Sequence, residues 1–321
     1  MKNSARMSTF DTDPTAALSF LTQQAAYIES EVYRQEYPQY KYTSLVPLDN
    51  SAPDWAQVVG FRSVNSRGEM KLFGPKSTDV PTVEIAATMG FHEIQTGALG
   101  YEYSIEELGY AQLNGINVDN ERAIAVREGV EKGLNQIYLQ GGLVAGANGK
   151  TQAVGEGLYT GGNVPRLDTA GTIASLVAVG NAQGVLDIFS DAYNQVFITN
   201  TNTVHVPNTF VMPASIYQLL QRTLLNTGNA SNYTFLMFLQ QNFPNMTFDW
   251  DVLLEKAGKN ASKRLVTFKK DIRVVKGHDV MPLRFLAPAT ADNINFKVPA
   301  ICRTGGVEWR IPKAAAYFDG L

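Results

Sequence analysis

The sequence predicts an α+β protein, and three observations support this fold class. A long amphipathic helix starts near Asp119, short β-like segments precede it, and the last sixty residues are rich in strand patterns. Between the helix and these last strands, helix and strand patterns alternate over about residues 145–260, as in a mixed α/β domain. The 321 residues are 45% hydrophobic, so the chain is expected to form two substructures.

Composition and charge argue against several classes of protein. A net charge of −3 is not typical of a dedicated nucleic-acid-binding surface, which would show a basic excess. The single cysteine, Cys302, has no partner for an internal disulfide, which fits a reducing compartment. There is no signal peptide and no apolar run long enough to span a bilayer. We therefore expect a soluble, non-secreted globular protein that does not bind membranes.

Residues 1–49 are predicted to form an N-terminal arm. Asp13-Pro14 is a typical helix start, with the aspartate as N-cap and the proline at the first position. The apolar residues that follow recur at spacings of three and four: Leu18, Leu21, Ala25, Ile28 and Val32. A tyrosine cluster comes next, formed by Tyr33, Tyr37, Tyr40 and Tyr42. These tyrosines indicate either an interface or a locally packed loop.

A two-stranded hairpin is predicted from Gln57–Val64 and Met70–Phe73, joined by a turn at Asn65-Ser66-Arg67-Gly68. Thr82–Ala87 is a further β-like segment. The predicted hairpin has few apolar residues on its outer positions. It carries four basic residues, Arg62, Arg67, Lys71 and Lys76. Because an isolated hairpin is only marginally stable, it must lie against another part of this chain or against another copy.

The long helix is predicted from the N-cap Asp119 to Gln140, with Gly141-Gly142 as its end. A capping box, Ser104 with Glu107, precedes it. Its apolar face is drawn by Ala123, Val126, Val130, Leu134 and Ile137. Periodicity alone does not distinguish an ordinary core helix from the central element of an assembling subunit.

The remaining elements are predicted from shorter patterns. A loop is expected at 143–166, helices at 172–179, 183–196, 214–225 and 233–241, and a buried strand at 209–213. Strands are expected at 265–268, 272–275, 283–286, 294–298 and 307–311. Gly305-Gly306 is predicted to form a tight turn before the last of these strands.

The residues predict no catalytic, cofactor-binding or metal site. Gly149-Lys150-Thr151 lacks the first glycine of a phosphate-binding loop, because Val144 occupies that position. The three histidines, His92, His205 and His278, lie far apart in sequence without a second ligand at metal-site spacing, so each is expected to be structural. Cys302 is expected to be a small buried hydrophobic residue. We therefore expect a protein that is not an enzyme.

Several segments together are similar to one protein family. They are Tyr103-Ser104-Ile105-Glu106-Glu107-Leu108, Thr209-Phe210-Val211-Met212-Pro213, Phe243-Pro244, the stretch 303–314 and Tyr317-Phe318-Asp319-Gly320. In this order along the chain, they resemble the major capsid proteins of tailed bacteriophages, which have the HK97-like fold that encapsulins share.

The resemblance implies four parts. These are an N-terminal arm (1–49), an extended hairpin loop (50–85), a peripheral domain built on a long spine helix (86–145 and 265–321) and an axial α/β domain (146–264). It implies a coat protein of the virion, made in the host bacterial cytoplasm, that self-assembles into an icosahedral head shell around double-stranded DNA. The alternative is an encapsulin-type compartment that holds a cargo enzyme.

The resemblance also implies partners and contact residues. Other copies would form hexamers and pentamers, and contacts with packaged DNA would be non-specific. Portal and decoration proteins are further expected partners, together with a separate scaffolding protein or none. The expected inter-subunit contacts are Arg62, Arg67, Lys71 and Phe73 in the hairpin, with Leu18, Leu21 and Ile28 in the arm.

Overall fold

The computed structural model describes residues 40–68, 70, 82–104, 106, 118–145, 151–153, 155–169, 171–225, 233–290 and 295–321. The predicted helix of the arm lies outside these residues. The helices are α1 (Tyr42–Leu45), α2 (Val118–Gln140), α3 (Ile173–Ala178), α4 (Ala182–Asn194), α5 (Ala214–Arg222) and α6 (Phe235–Asn242). A π-helical segment, Gln195–Asn200, follows α4.

The strands divide into two larger sheets and two pairs. They are β1 (Leu48–Asp49), β2 (Val58–Arg67), β3 (Glu84–Glu93), β4 (Gln95–Ser104), β5 (Leu143–Ala145), β6 (Thr151–Ala153), β7 (Arg166–Asp168), β8 (Thr209–Pro213), β9 (Thr247–Asp251), β10 (Arg264–Phe268), β11 (Val275–Phe285), β12 (Ala289–Thr290), β13 (Asn295–Trp309) and β14 (Ala315–Asp319). The α+β fold class is therefore confirmed.

The long helix α2 forms as its periodicity predicts. Val126, Val130 and Ile137 are buried on the side that faces the body of the protein. The helix begins at Val118, so Asp119 is its second residue and not the predicted N-cap. It ends at Gln140, and the next residue, Gly141, has a positive φ of 65°, the left-handed conformation that glycine adopts without strain. Glu107 of the predicted capping box lies outside the described residues, and Ser104 is the last residue of β4.

The C-terminal end of α2 is completed by a segment distant in sequence. The last four carbonyl groups of the helix each accept a hydrogen bond of 2.8–2.9 Å, from Gly141 N, Leu158 N, Tyr159 N and Thr160 Oγ1 respectively. These groups would otherwise have no partner inside the helix. The residues predicted as one loop, 143–166, thus hold the helix end, and they also contain the paired strands β5 and β6.

The first large sheet is organised around β13, which pairs with β4 along one edge and with β11 and β12 along the other. Two strands predicted separately, 294–298 and 307–311, are parts of this one fifteen-residue strand. The turn predicted at Gly305-Gly306 is wrong. The two glycines lie inside β13, where Gly306 has a φ of 69° beside a register irregularity opposite His278. Glycine is favoured here because a β-bulge, like a tight turn, can require a residue with positive φ.

The strands predicted at 272–275 and 283–286 are also combined. Both overlap β11, which begins at Val275, while Ile272 lies in the preceding turn. The parallel strand β1 adds to the free edge of β11. The last residues of the predicted arm, from Tyr40 onward, are therefore part of the body of the protein.

The second sheet has the strand order β7-β14-β10-β8-β9. The helices α3 to α6 enclose its main core, in which Phe189, Phe210 and Phe235 are fully buried. The predicted helices and the predicted strand of this region are present. The helices α3 and α4 match the predictions at 172–179 and 183–196, β8 is buried throughout, and α5 and α6 match those at 214–225 and 233–241. The sheet joins residues on both sides of the predicted boundary at 264/265, and the domain boundaries themselves stay predictions.

The described tyrosines of the N-terminal cluster pack locally. The Tyr42 ring stacks on Tyr138 of α2 with 5.1 Å between ring centroids, and its hydroxyl donates to Glu131 at 2.8 Å. Asn135 Oδ1 accepts from the backbone N–H groups of Lys41 and Tyr42. Tyr42 thus fits the packed-loop alternative, whereas Tyr33 and Tyr37 lie outside the described residues.

Candidate assembly surface

The protruding hairpin is formed by β2 and β3, not by the strands predicted for it. The ten residues of β2 pair with the ten of β3 in antiparallel register, from Val58 opposite Glu93 to Arg67 opposite Glu84. The predicted partner Met70–Phe73 is therefore wrong. The predicted turn is wrong as well, because Asn65 to Arg67 lie inside β2.

One side of this hairpin is an exposed apolar surface. Residues that face each other across an antiparallel pair point to the same side, and successive residues alternate. The apolar side chains on this side, with which the exposed Arg62 and Glu93 also point, are called the apolar face: Val58, Val64, Ile85, Ala87, Met89 and Phe91. Ile85, Met89 and Phe91 are 68%, 67% and 70% exposed. The expectation of few apolar residues on the outer positions is thus wrong.

The predicted contact residues fall in different places. Arg62 lies on the apolar face, exposed and opposite Met89. Arg67 is the last residue of β2 and pairs through its backbone with Glu84. Lys71 and Phe73 of the hairpin, with Leu18, Leu21 and Ile28 of the arm, lie outside the described residues. The alternation Ile85-x-Ala87-x-Met89-x-Phe91 was the signal for the apolar face that sequence reasoning missed.

A second surface lies on the first sheet. The helix α2 covers one side of β4 and β13, where Leu99 approaches Gly129 and Ala300 packs with Val126. On the opposite side lie Ala98, Gly100, Pro299 and Ile301, with Trp55 and Arg303 at the border; we call this set the open face.

Charged groups hold the border of the open face in place. The Arg303 guanidinium lies 5.6 Å from the Trp55 ring centroid and donates to the Asp54 carbonyl at 2.6 Å. Arg284 Nη2 contacts the Asp54 carboxylate at 2.7 Å. The Trp55 side chain is 71% exposed. Tryptophan and arginine are enriched among the residues that contribute most of the binding energy in protein interfaces.

The root of the hairpin contacts the body of the protein through two histidines. The rings of His92 on β3 and His278 on β11 stack with 5.2 Å between centroids. His92 Nε2 lies 2.5 Å from the Gly305 carbonyl oxygen, and His278 Nε2 lies 2.6 Å from Glu308 Oε2. We call His92, His278 and Glu308 the histidine cluster. Both rings are hydrogen-bonded, as expected of structural histidines, but their contact was not predicted because positions 92 and 278 are far apart in the sequence.

The histidine cluster also involves a neighbouring arginine. Burial by itself would raise the pKa of the Glu308 carboxyl, but the hydrogen bond from His278 and the charge of Arg310 hold it below its usual range. Arg310 Nε lies 3.3 Å from Glu308 Oε1, and its guanidinium is 5.6 Å from the ring centroid of Phe61 on β2. The hairpin thus meets the body through Phe61 and His92.

The thiol of Cys302, the described metal-ligand residue types and the described helices bear on which kinds of site this part of the chain can form. Cys302 is buried against Val126 and Val130, as expected, and burial raises the pKa of its thiol. Among the described residues, no group of three or more histidine, cysteine, aspartate or glutamate side chains is arranged to hold a metal ion. None of the described helices is long and apolar enough to cross a membrane.

The fold and these surfaces define a structural subunit of the shell-forming class. The chain belongs to the major capsid protein family, whose model matches residues 68–321. The resemblance to tailed-phage capsid proteins with the HK97-like fold is confirmed.

Solved capsids share the fold at low sequence identity. The capsid of Myoviridae phage XM1 matches with a TM-score of 0.79 at 17% identity, over 93% of this chain and 98% of that one. Mycobacterium phage Ogopogo matches with a TM-score of 0.62 at 13% identity, over 94% and 98%.

A virus-like particle from Pyrococcus furiosus matches less well, with a TM-score of 0.51 at 13% identity over 86% and 91%. Comparison with curated proteins gave no match. The encapsulin alternative is not favoured.

Proposed function

We propose that copies of this chain assemble, as hexamers and pentamers, into the icosahedral head shell of a tailed phage around double-stranded DNA. The observation that supports this proposal is the exposed apolar face of the hairpin. An isolated two-stranded hairpin is marginally stable, and large exposed apolar patches mark interaction sites. We therefore expect the apolar face to be buried against the surface of another protein subunit.

The open face of a neighbouring copy suits the apolar face. Its centre consists of three small residues, Ala98, Gly100 and Pro299, and the aliphatic Ile301, and the small residues let another sheet approach closely. Covering one half-exposed aliphatic side chain contributes about 1 kcal/mol. Each contact is modest, but a closed shell sums many of them.

The remaining roles follow from the same proposal. The chain would act by binding rather than by catalysis, in the virion, after synthesis in the host cytoplasm. With a net charge of −3, it would retain DNA by confinement, with sequence-independent contacts. Portal, decoration and scaffolding proteins would bind the assembled shell or its precursors.

The test compares two neighbouring residues of β3 that point to opposite sides. Met89→Asp places a carboxylate in the apolar face, whereas Thr88→Asp places one on the other, also exposed, side. We expect Met89→Asp to reduce the assembled fraction at least tenfold in electron micrographs and sedimentation velocity, because a buried unpaired charge is costly. Thr88→Asp should assemble like the wild type.

The open face is tested by Ala98→Arg, which should also prevent assembly. Circular dichroism and urea unfolding of the unassembled subunits check that the variants fold. Normal assembly of Met89→Asp, or equal loss in Thr88→Asp, would refute the role of the apolar face. Normal assembly of Ala98→Arg alone would refute only the choice of the open face as its partner.

A further inference from the structure

We propose that copies of this chain also join head to tail, through a groove beside α4 on one copy and the loop at 201–207 on the next. This contact presupposes the proposed assembly and is separate from the hairpin and the open face. The two surfaces lie around the second sheet and share no residue. One copy can therefore use both surfaces at once.

The groove lies along α4 and has a volume of about 520 Å³. Four apolar side chains line it: Leu167, Leu176, Ile188 and Phe318. It is also lined by three carboxylates, those of Asp168, Asp187 and Asp191. We call these seven residues the acidic groove. Neither lysine nor arginine is among the described residues that line it, so the negative charge is left for a partner to balance.

Asp187 and Asp191 carry most of the charge of the acidic groove. Both are exposed on α4, four residues apart and hence on one face of the helix. Asp187 accepts a hydrogen bond of 2.8 Å from the neutral amide of Gln183, which leaves its charge unbalanced. Asp168 also lines a second cavity, which contains Arg166 and Lys259, so its charge is partly balanced.

The loop that follows the π-helical segment presents apolar side chains to solvent. Val204 and Val206 are 70% and 46% exposed, and Ile272 in the neighbouring turn is 45% exposed. The loop is held beside this turn through Asn208, whose Oδ1 accepts from Lys270 N at 2.6 Å. These three apolar side chains are therefore available to another protein surface.

Basic residues accompany these apolar side chains. Lys269 N donates to Ala314 O at 3.1 Å, so the chain around Lys313 lies beside the same turn. Asp271 is the one carboxylate in these segments, and the net charge is therefore positive. The basic residues are Lys269, Lys270, Arg273 and Lys313. We call these four residues, with Val204, Val206 and Ile272, the basic end.

The loop holds Val204 in a fixed position. Asn202 and Thr203 have φ values of 47° and 69°, a backbone conformation that is costly for residues other than glycine. Thr201 Oγ1 accepts from His205 N at 3.2 Å and so closes the loop over these two residues. A surface that is fixed in advance loses less conformational freedom on binding.

The acidic groove and the basic end match in charge and in polarity. Each has apolar side chains beside charges that are mainly of one sign, and the two signs are opposite. Since the two surfaces differ, the contact is head to tail, and such contacts form rings when the rotation closes. Hexamers and pentamers are rings of this kind. DNA suits the basic end less well, because its phosphates would leave Val204 and Val206 uncovered.

The experiment reverses the charge of each surface in the full-length chain. Asp187→Lys with Asp191→Lys changes the acidic groove. Arg273→Glu with Lys313→Glu changes the basic end, and all four side chains are exposed. We expect each pair to lower the assembled fraction about tenfold in sedimentation velocity and electron micrographs, because like charges then face each other. The four substitutions together should restore assembly to within about twofold of the wild type.

The matched control is Lys256→Glu with Lys259→Glu, because both lysines are exposed and lie outside the two surfaces. It should assemble like the wild type. Circular dichroism of the unassembled subunits checks that each variant folds. If a reversed pair does not fold, Val204→Asp replaces it. This substitution changes one exposed side chain, and it should also lower assembly, because the contact would bury the new carboxylate.

The outcomes separate this contact from the proposed function. A wild type that does not assemble would overturn the proposed function and this contact with it. If the wild type assembles, the contact alone is overturned by normal assembly of either reversed pair or of Val204→Asp, by no recovery in the combined variant, or by equal loss in the lysine control. A basic-end variant that assembles normally but packages less DNA would assign the basic end to DNA and also overturn it.

Discussion

Replacing Gly157 with alanine is expected to destabilise the subunit by about 3 kcal/mol, because a Cβ at this position would occupy the space of the α2 backbone. The added carbon would overlap Gly141 N and Gln140 C and come within 2.6 Å of Leu139 O. Backbone atoms cannot move aside as a flexible side chain can. The segment would have to retreat, which breaks the hydrogen bonds from Leu158 and Tyr159 to the helix end.

The matched control is the same substitution inside α2. Among the described residues, apart from its chain neighbours and the nearby backbone of its own helix, Gly133 has no atom within 4 Å of the position that a Cβ would take. Gly133→Ala should therefore stabilise the subunit by about 0.5–1 kcal/mol, since alanine loses less backbone entropy in a helix. Urea unfolding of the unassembled chain measures both changes. A Gly157→Ala subunit within about 0.5 kcal/mol of the wild type, the spread usual for harmless substitutions, would contradict the argument.

Arg264→Ala is expected to cost about 3–5 kcal/mol, because it leaves Asp319 charged and buried without its partner. The two side chains are 3% and 4% exposed, and they form a two-point contact, with Nε to Oδ1 at 2.6 Å and Nη2 to Oδ2 at 2.7 Å. Arg264 Nη1 also donates to the Tyr159 carbonyl at 2.5 Å. Its guanidinium lies 4.7 Å from the ring centroid of Tyr317.

Two comparisons test whether the loss comes from the buried charge. Lys297→Ala removes an ion pair with Glu102 that is 3.4 Å long and well exposed, and should cost less than about 1 kcal/mol. The double variant Arg264→Met with Asp319→Leu removes both charges and should unfold at a higher urea concentration than Arg264→Ala. If the double variant is the less stable of the two, the explanation by an unpaired charge is wrong.

The sequence predicted the elements whose signals are local. The periodicity of α2 lies within one segment, and Gly141 marks its end by a conformation that needs no distant partner. The strand β8 and the helices around it are also bounded by local signals, such as Pro213 and the N-cap Thr172. These elements were predicted to within a few residues because tertiary packing reinforced the local preference.

The hairpin and β13 were mispredicted for a common reason. Asn65 to Gly68 is a favourable turn sequence, and Gly305-Gly306 is another, but both lie within or beside long strands. Pairing along ten residues of β3, or along β4 and β11, outweighs the local turn preference. Because a wrong partner gives a wrong register, the apolar face could not be identified from the assigned strands.

The histidine cluster could not be predicted from one sequence. Its members stand at positions 92, 278 and 308, and each comes from a different strand. Only the antiparallel pairing of β11 with β13, and the return of β3 towards this sheet, brings them together. The predicted contacts Lys71, Phe73, Leu18, Leu21 and Ile28 stay predictions, as do the domain boundaries.

The place of β14 in the second sheet has a consequence for synthesis on the ribosome. β14 lies between β7 and β10 in the sheet, although it follows both of them in the chain. Residues 269–314 separate the end of β10 at Phe268 from the start of β14 at Ala315. While the chain is being made, β7 has to wait for residues 315–319 before it can pair. Because such distant pairings form late, a nascent chain cannot complete this sheet before its last strand has left the exit tunnel. A nascent chain whose residues 315–319 are still inside the ribosome therefore lacks a complete second sheet, which limits premature association of such chains.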